Sequence, residues 1–359
     1  MRVALDGTPL LGRPTGVGRY VAGLVGGLAR LPEPPELVLT AFSVRGVDVT
    51  APDGTRWSGR RLPARALQAA WGHSAYPPVE WLAGRCEVFH ATNFVLPPTR
   101  RAAGVVTVHD LAFDRHADTV DAATLRYRRL VPAGLRRAAV VLTQTHALAA
   151  ELRGRYHLGD DRVRVARPGV DPAWAATVAP TTQWLSLRGL PERYLLYVGT
   201  VEPRKNLPVL LAALRLLPGA PPLVLAGPAG WGPPLDTDGV RVTRAGYLEE
   251  ADLRTVVAGA AALAYPSRYE GFGLPPLEAL ACGLPVVVSD LPVLHEVLGA
   301  QASYVPVGDA EALADALGRV LADDGGQAAR TARRAHAAQW TWDRCATEAM
   351  AAYDAALLG

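Results

Sequence analysis

Short apolar runs rich in valine, leucine and alanine alternate with longer helix-like stretches along this chain, lapse once near the middle, and then begin again. Such alternation is the pattern of a doubly wound parallel sheet, and its restart implies a second sheet. In the first half Arg2–Leu5, Leu37–Phe42, Val88–Phe89, Gly104–Val108, Val140–Thr143 and Val163–Ala166 read as strands, with a Gly-rich loop and a helix from about Gly18 to Leu31 after the first. Pro168–Arg193 contains prolines and tryptophans without clear periodicity and reads as linker. The pattern resumes with Tyr194–Val198, Leu223–Ala226, Val240–Thr243, Ala260–Tyr265 and Val286–Ser289. From Glu311 to Leu358 the chain reads as helical, broken near Asp323–Gln327 and again near Trp340. The expected fold class is therefore α/β, two Rossmann-like doubly wound domains facing a cleft. The expected boundaries are 1–170, a linker 171–192, a second domain 193–335, and a helical tail 336–359 that packs back toward the first domain.

A length of 359 residues suits two cores. Cys86, Cys282 and Cys345 are too few and too scattered for a disulfide framework or a four-ligand zinc site, which favours a reducing compartment. Met1–Leu5 does not open a basic stretch followed by an apolar one, and runs such as Thr255–Tyr265 fall short of the roughly 18 residues that span a bilayer. A cytoplasmic protein is expected, soluble or peripheral on a membrane. Through Val170 there are 23 basic and 14 acidic side chains, whereas the remainder has 14 and 20. That asymmetry points to an anionic partner for the first half, either a membrane surface or a phosphate-bearing acceptor. Lys205 is the sole lysine among 37 basic residues, which singles out its ammonium.

Ligands of doubly wound sheets bind beyond the carboxyl ends of the strands, and four motifs lie there. Thr15-Gly16-Val17-Gly18-Arg19-Tyr20 follows the first strand; its glycines would let backbone approach a phosphate at a helix start, although the spacing departs from G-x-G-x-x-G and a flexible turn is the plainer alternative. Val106-Thr107-Val108-His109-Asp110 ends a strand in an imidazole able to reach a sugar hydroxyl, whereas His90 reads as structural. Gly199-Thr200-Val201-Glu202-Pro203-Arg204-Lys205-Asn206 places adjacent cations after a strand, complementary to a pyrophosphate; a solvated basic turn is the alternative. Finally, Pro266–Glu278 carries Glu270 and Glu278 around Gly271 and Gly273, so that one carboxylate can bind sugar hydroxyls and the other a ribose.

The stretch from Tyr269 through Val287 closely resembles the nucleotide-sugar site of family 4 retaining glycosyltransferases of the GT-B fold, in particular bacterial mannosyltransferase-like members. Glu202–Leu207, Val108-His109-Asp110 and Gly16-Val17-Gly18 occur in the order of that family, so the resemblance covers nearly the whole chain. It implies that Glu270 binds donor sugar hydroxyls, that Gly271, Phe272, Gly273 and Leu274 present backbone amides, and that Glu278 binds ribose. It further implies that Arg204 and Lys205 neutralise the pyrophosphate beside Gly199 and Thr200, that Gly16, Val17 and Gly18 close over it, and that His109 touches the sugar. Tyr247 and Leu248 match where relatives hold the base. Thr200 departs from the arginine that some relatives carry, which removes one phosphate contact.

The implied reaction is retaining transfer of a hexose, with GDP-mannose as first donor and a UDP-sugar as second, and with no cofactor. Fixed cations answer the charge that develops on the leaving diphosphate. They also take the place of a metal; the literal D-x-D in Asp236-Thr237-Asp238 lies in a Pro-rich loop before a strand. The acceptor is a lipid-linked saccharide or glycolipid of envelope polysaccharide assembly, or alternatively a soluble small molecule such as a natural product. A nucleotide-sugar epimerase of the same fold, a pyridoxal phosphate phosphorylase and a noncatalytic sugar-nucleotide subunit are the rival classes; the phosphorylase needs a Schiff-base lysine, and Lys205 sits in a phosphate-type turn. Arg126, Arg128, Arg129, Arg136 and Arg137 form a candidate surface for anionic lipid, in a segment where Pro132 and Gly134 interrupt a long amphipathic helix; a solvated arginine face beside ordinary helix packing is the plainer alternative.

Overall fold

Strands buried on both faces need continuous apolar runs, and Val3, Ala4 and Leu5 of the first strand are fully shielded from solvent. A computed structural model describes residues 1–13, 15–43, 50–58 and 64–359. These divide into two compact units, one of Met1–Asp114, Ala122–Gly169 and Thr341–Gly359, the other of Arg115–Asp121 and Val170–Trp340.

In the first unit the strands are β1 (Arg2–Asp6), β2 (Glu36–Thr40), β3 (Thr55–Trp57), β4 (Val88–Ala91), β5 (Ala103–Thr107), β6 (Val140–Thr143) and β7 (Val163–Val165). They form a parallel sheet in the order β3-β2-β1-β4-β5-β6-β7. The second unit holds β8 (Leu195–Val198), β9 (Leu223–Ala226), β10 (Val242–Gly246), β11 (Ala262–Tyr265), β12 (Val286–Ser289) and β13 (Ala302–Val305), parallel in the order β10-β9-β8-β11-β12-β13. Strand order reverses direction between β1 and β4 in one sheet and between β8 and β11 in the other, and such switch points open a crevice for ligand. Two strands escape a reading of the sequence, β3 and β13. Both lie at sheet edges and are largely half-buried, so neither needs the unbroken apolar run that marks a central strand.

The segment expected to be a linker is folded instead. Helices Ala173–Ala176 and Thr182–Leu187 lie within it, and Trp174, Leu185 and Leu190 enter the core of the second unit. Its weak periodicity reflects helices too short to display a period. The tail also divides. Helices Ala310–Ala322 and Gly326–Ala337 belong to the second unit, whereas Trp342–Leu358, capped by the Thr341 hydroxyl, belongs to the first.

Close packing holds that last helix. Cys345, Ala346, Ala349, Ala352 and Tyr353 are buried in a cluster that includes Leu24 and Leu28 of helix Gly16–Ala29. A Cβ at Gly27 would lie 2.4 Å from the carbonyl oxygen of Trp342, so only glycine lets the helices approach this closely. A buried polar chain adds direction: the Tyr353 hydroxyl pairs with His90 Nδ1 at 2.8 Å, and His90 Nε2 with Thr107 Oγ1 at 2.7 Å. Burial, aided by the neighbouring His109, pushes the His90 pKa down to about 3, which keeps the ring neutral. His90 is thus a core residue that ties β4 to the C-terminal helix.

The arginine-rich segment forms one helix, Tyr127–Arg137, that continues through Pro132, contrary to the expected interruption. Proline forfeits a single i→i−4 bond there, while Val131, Ala133, Gly134 and Leu135 bury the inner face. Arg128 Nε donates to the Phe113 carbonyl at 2.9 Å and Arg137 to the Trp71 carbonyl at 2.8 Å, so two of the five arginines satisfy protein backbone. Among the described residues, no helix is long and apolar enough to cross a membrane.

Candidate functional site

The loops after β8 and β11 meet at the switch point of the second unit. After β8 the chain passes Gly199 and Thr200, turns through the 3-10 segment Pro203–Lys205, and takes a left-handed conformation at Asn206 before helix Leu207–Leu216. After β11 it runs from Pro266 to helix Leu274–Ala281. The amide of Arg268 donates to the Arg204 carbonyl at 2.8 Å, stapling one loop to the other.

That staple brings Arg204 and Lys205 together with Glu202 and Glu270. Lys205 Nζ lies 2.6 Å from Glu270 Oε1 and donates to the Tyr265 hydroxyl at 2.9 Å. Arg204 reaches Glu270 Oε2 at 3.3 Å, the Tyr269 carbonyl at 3.1 Å and Glu202 Oε1 at 2.7 Å. Glu270 is only 6% exposed. Burial alone would raise its pKa, but Lys205 and then Arg204 oppose it and hold the carboxyl down at about 2. Burial also lowers the Lys205 ammonium from its ordinary value, with the attraction of Glu270 working against it. Tyr265, whose own ionisation is suppressed by burial and by the Glu270 charge, stays a neutral acceptor for lysine.

Around this cluster the other residues singled out from sequence take defined places. Gly273 adopts φ +103 as the N-cap of helix Leu274–Ala281, a conformation that a side chain would strain and whose Cβ would lie 2.5 Å from Leu294. Pro275 and Pro276 have no N–H, so the donors at that helix start are the amides of Gly273 and Leu274, preceded by Phe272. Phe272 itself is buried, its ring edge-on to Trp340 at 5.5 Å. Glu278 sits inside the helix at 3% exposure. Gly271 lies between Glu270 and Phe272, and Tyr197 donates its hydroxyl to the Thr200 carbonyl at 2.8 Å. Tyr247 and Leu248 follow β10, half-buried. The buried Asn206 Nδ2 lacks a hydrogen-bond partner, while the Ser267 side chain helps to hold the Glu270 pKa down. Sequence reading missed Tyr265, Ser267 and Asn206, because a tyrosine that ends an apolar strand looks like core and short polar residues in loops look like turns. The D-x-D pair is engaged elsewhere, with Asp236 bound to Arg215 at 2.8 Å.

The first unit supplies the remaining candidates. Gly16, Val17 and Gly18 are not a loop before the helix but its first turn. Thr15 caps it, its hydroxyl accepting from the Gly18 amide at 3.2 Å. His109 follows β5 and is 8% exposed. Its Nε2 donates to the Thr92 carbonyl and its Nδ1 accepts from Gln144 Nε2, both at 2.8 Å. Tyr20 and Phe94 meet the imidazole edge-on at 5.0 and 5.5 Å. Both ring nitrogens are therefore held by protein partners that no motif announced, and burial lowers the pKa of the ring.

Comparison with known proteins agrees with this layout. Residues 14–174 match the model described as Glycosyltransferase Family 4, and residues 192–323 that of Glycosyl transferases group 1. The O-antigen chain mannosyltransferase B of Escherichia coli is 33% identical over 283 residues, 74% of each chain. A D-inositol 3-phosphate glycosyltransferase of Jonesia denitrificans is 30% identical over 321 residues, 80% of this chain and 73% of that one. Among solved structures, sucrose-phosphate synthase from Thermosynechococcus elongatus aligns over 99% of this chain and 98% of its own with a TM-score of 0.75 at 23% identity, a likeness of fold. With two parallel-sheet units like those of GT-B proteins and a family match across both, the chain belongs to glycosyltransferase family 4.

Proposed function

We propose that this glycosyltransferase moves a hexose, mannose in first place, from a nucleoside diphosphate sugar to a lipid-linked saccharide of envelope polysaccharide assembly, with retention at the anomeric carbon and without a metal. The observation that carries this reading is the buried Arg204–Glu270–Lys205 cluster at the switch point. Lys205 has three N–H bonds and the described hydrogen bonds use two, leaving one for a phosphate oxygen. Glu270, locked as a carboxylate, accepts from sugar hydroxyls. Among the described residues the amides of Phe272, Gly273 and Leu274 donate to no protein group, and Asn206 Nδ2 is buried without a partner; a ligand rich in phosphate and hydroxyl oxygen answers all four. Glu278 then binds the ribose, Tyr247 and Leu248 the base, and Gly199 and Thr200 flank the phosphates.

As the sugar–phosphate bond breaks, negative charge grows on the diphosphate and the two fixed cations stabilise it more than they stabilise the intact donor. By family likeness His109 is assigned to the sugar and Gly16–Gly18 to the phosphates. Attack on the donor's own face accounts for retention without a carboxylate nucleophile opposite the sugar. Mannose is favoured by the E. coli relative's name, and a UDP-sugar is second. The inositol phosphate relative, together with the internal bonds of Arg128 and Arg137, favours a soluble small-molecule acceptor as the second reading.

A thermal-shift panel of GDP, UDP and their sugars tests the donor. A nucleoside diphosphate at 100 times its Kd adds about 2.7 kcal/mol, and absence of any stabilisation by the whole panel would overturn the proposal. Glu270→Gln is expected to impair transfer more than diphosphate binding. Sedimentation with anionic and neutral vesicles at two salt concentrations separates the acceptor readings, because docking through Arg126, Arg129 and Arg136 must weaken with salt.

A further inference from the structure

The first unit has a second cleft at the opposite end of its sheet. His109 lies beyond the carboxyl end of β5, whereas Arg2 opens β1 and Arg100 and Arg101 precede β5, so these arginines stand at the amino ends of parallel strands. The cleft there measures about 700 Å³ and is lined by four arginines, Arg2, Arg85, Arg100 and Arg101, against two carboxylates, Glu80 and Glu87, with Trp81 beside them. Five strand residues at ~3.3 Å each separate the two ends by about 17 Å.

Its electrostatics are unbalanced. Glu80 Oε1 accepts three backbone amides, from Arg100 at 2.7 Å, Arg101 at 2.8 Å and Ala102 at 3.0 Å. Burial opposes ionisation, but those amides prevail and hold the Glu80 carboxyl below its ordinary pKa. Its second oxygen, Oε2, is buried and has no partner. The guanidinium groups of Arg85, Arg100 and Arg101 enter no described hydrogen bond or ion pair. At the rim Trp81 is 49% exposed and meets Tyr76, 57% exposed, edge-on at 4.9 Å. A buried carboxylate oxygen without a donor, three guanidinium groups in no described ion pair and an exposed aromatic wall together specify a complementary ligand.

We propose that this cleft binds a phosphorylated polyol: the phosphate on the forks of Arg85, Arg100 and Arg101, a hydroxyl donated to Glu80 Oε2, and the carbon face against Trp81. Such chemistry occurs on a soluble saccharide phosphate and on a glycerophospholipid headgroup alike. The site is independent of the donor residues of the second unit and does not rest on the proposed reaction.

The test is titration calorimetry of the full chain with glycerol 1-phosphate and with inorganic phosphate, alongside sedimentation with phosphatidylglycerol and phosphatidylcholine vesicles. Wild type should bind glycerol 1-phosphate at least fivefold more tightly than phosphate. The double variant Arg100→Ala/Arg101→Ala, which keeps the backbone amides that Glu80 needs, should weaken it at least tenfold. Glu80→Gln, which retains an acceptor for those amides, should erase the preference over phosphate, with the melting temperature checking its fold. Recruitment to phosphatidylglycerol that the double variant abolishes assigns the lipid source; vesicle binding unaltered by the double variant, with glycerol phosphate binding lost, assigns the soluble one. Equal binding by wild type and double variant, or no binding of either probe by wild type, overturns the proposal. So does a parallel loss of nucleoside diphosphate binding in the double variant, which would show that the effect is not local.

Discussion

Replacing Lys205 by alanine should destabilise the second unit in a way that depends on pH. In the wild type Glu270 is nearly buried and its pKa falls from 4.5 to about 2, a difference worth about 3 kcal/mol at pH 7. The sign follows from proton binding: because the folded pKa lies below the unfolded one, this stability is complete above about pH 5 and is lost as pH falls through 4.5 toward 2. With Lys205 gone, Arg204 at 3.3 Å is the cation left on the carboxylate, and removal of one member of a buried pair typically costs 3–5 kcal/mol. The expected loss at pH 7 is therefore about 3 kcal/mol, shrinking by roughly 2 kcal/mol at pH 3, where wild-type Glu270 has itself given up most of its advantage. Amide hydrogen exchange in β8 and β11 reads the opening free energy of this unit without assuming one transition for both. The double variant Lys205→Met/Glu270→Gln removes both charges and should be less damaged than Lys205→Ala. Equal protection of wild type and Lys205→Ala at pH 7, or a double variant worse than the single, would refute the ion-pair reasoning.

The neutral His90 must take up a proton on unfolding in acid, so the first unit should lose about 4 kcal/mol between pH 6.5 and 3; His90→Gln, followed by exchange of β4 amides, should flatten that profile. Asp6 shows the reverse sign. Burial raises its pKa to about 6 against the hydrogen bonds of Thr8, so the ionised form costs roughly 3 kcal/mol above pH 6 and nothing below 3.8. Asp6→Asn should accordingly stabilise the protein at pH 8 but not at pH 4 in thermal unfolding. Gly27→Val should loosen the C-terminal helix by about 1–3 kcal/mol, read as faster exchange in Trp342–Leu358, since its Cβ cannot fit beside the Trp342 carbonyl.

Local chemistry made much of this protein legible in one dimension. Central strands such as β1, β6, β8 and β12 each carry three or four consecutive apolar residues buried on both faces, and that burial demands the unbroken runs seen in the sequence. The loops after β8 and β11 were recognisable because a lone lysine beside an arginine, and two glutamates around glycines, are unusual enough to be read without partners. Partners are what the sequence withheld. Nothing in it pairs Lys205 with Glu270 or aims Tyr265 at that lysine, because the residues stand 60 or more positions apart and meet only through the parallel adjacency of β8 and β11. The neutral His90, bound to Tyr353 across 263 positions, and His109, held at both nitrogens by Thr92 and Gln144, likewise depend on which strands and helices lie side by side. Edge strands β3 and β13 and the helices of residues 173–187 escaped notice for the complementary reason, since short or half-exposed elements take their conformation from the surfaces they cover. Sequence thus determined which central segments are strands and which side chains carry reactive chemistry, through burial and residue type. Tertiary structure alone decided which charges neutralise one another, because that depends on distances that no spacing along the chain encodes.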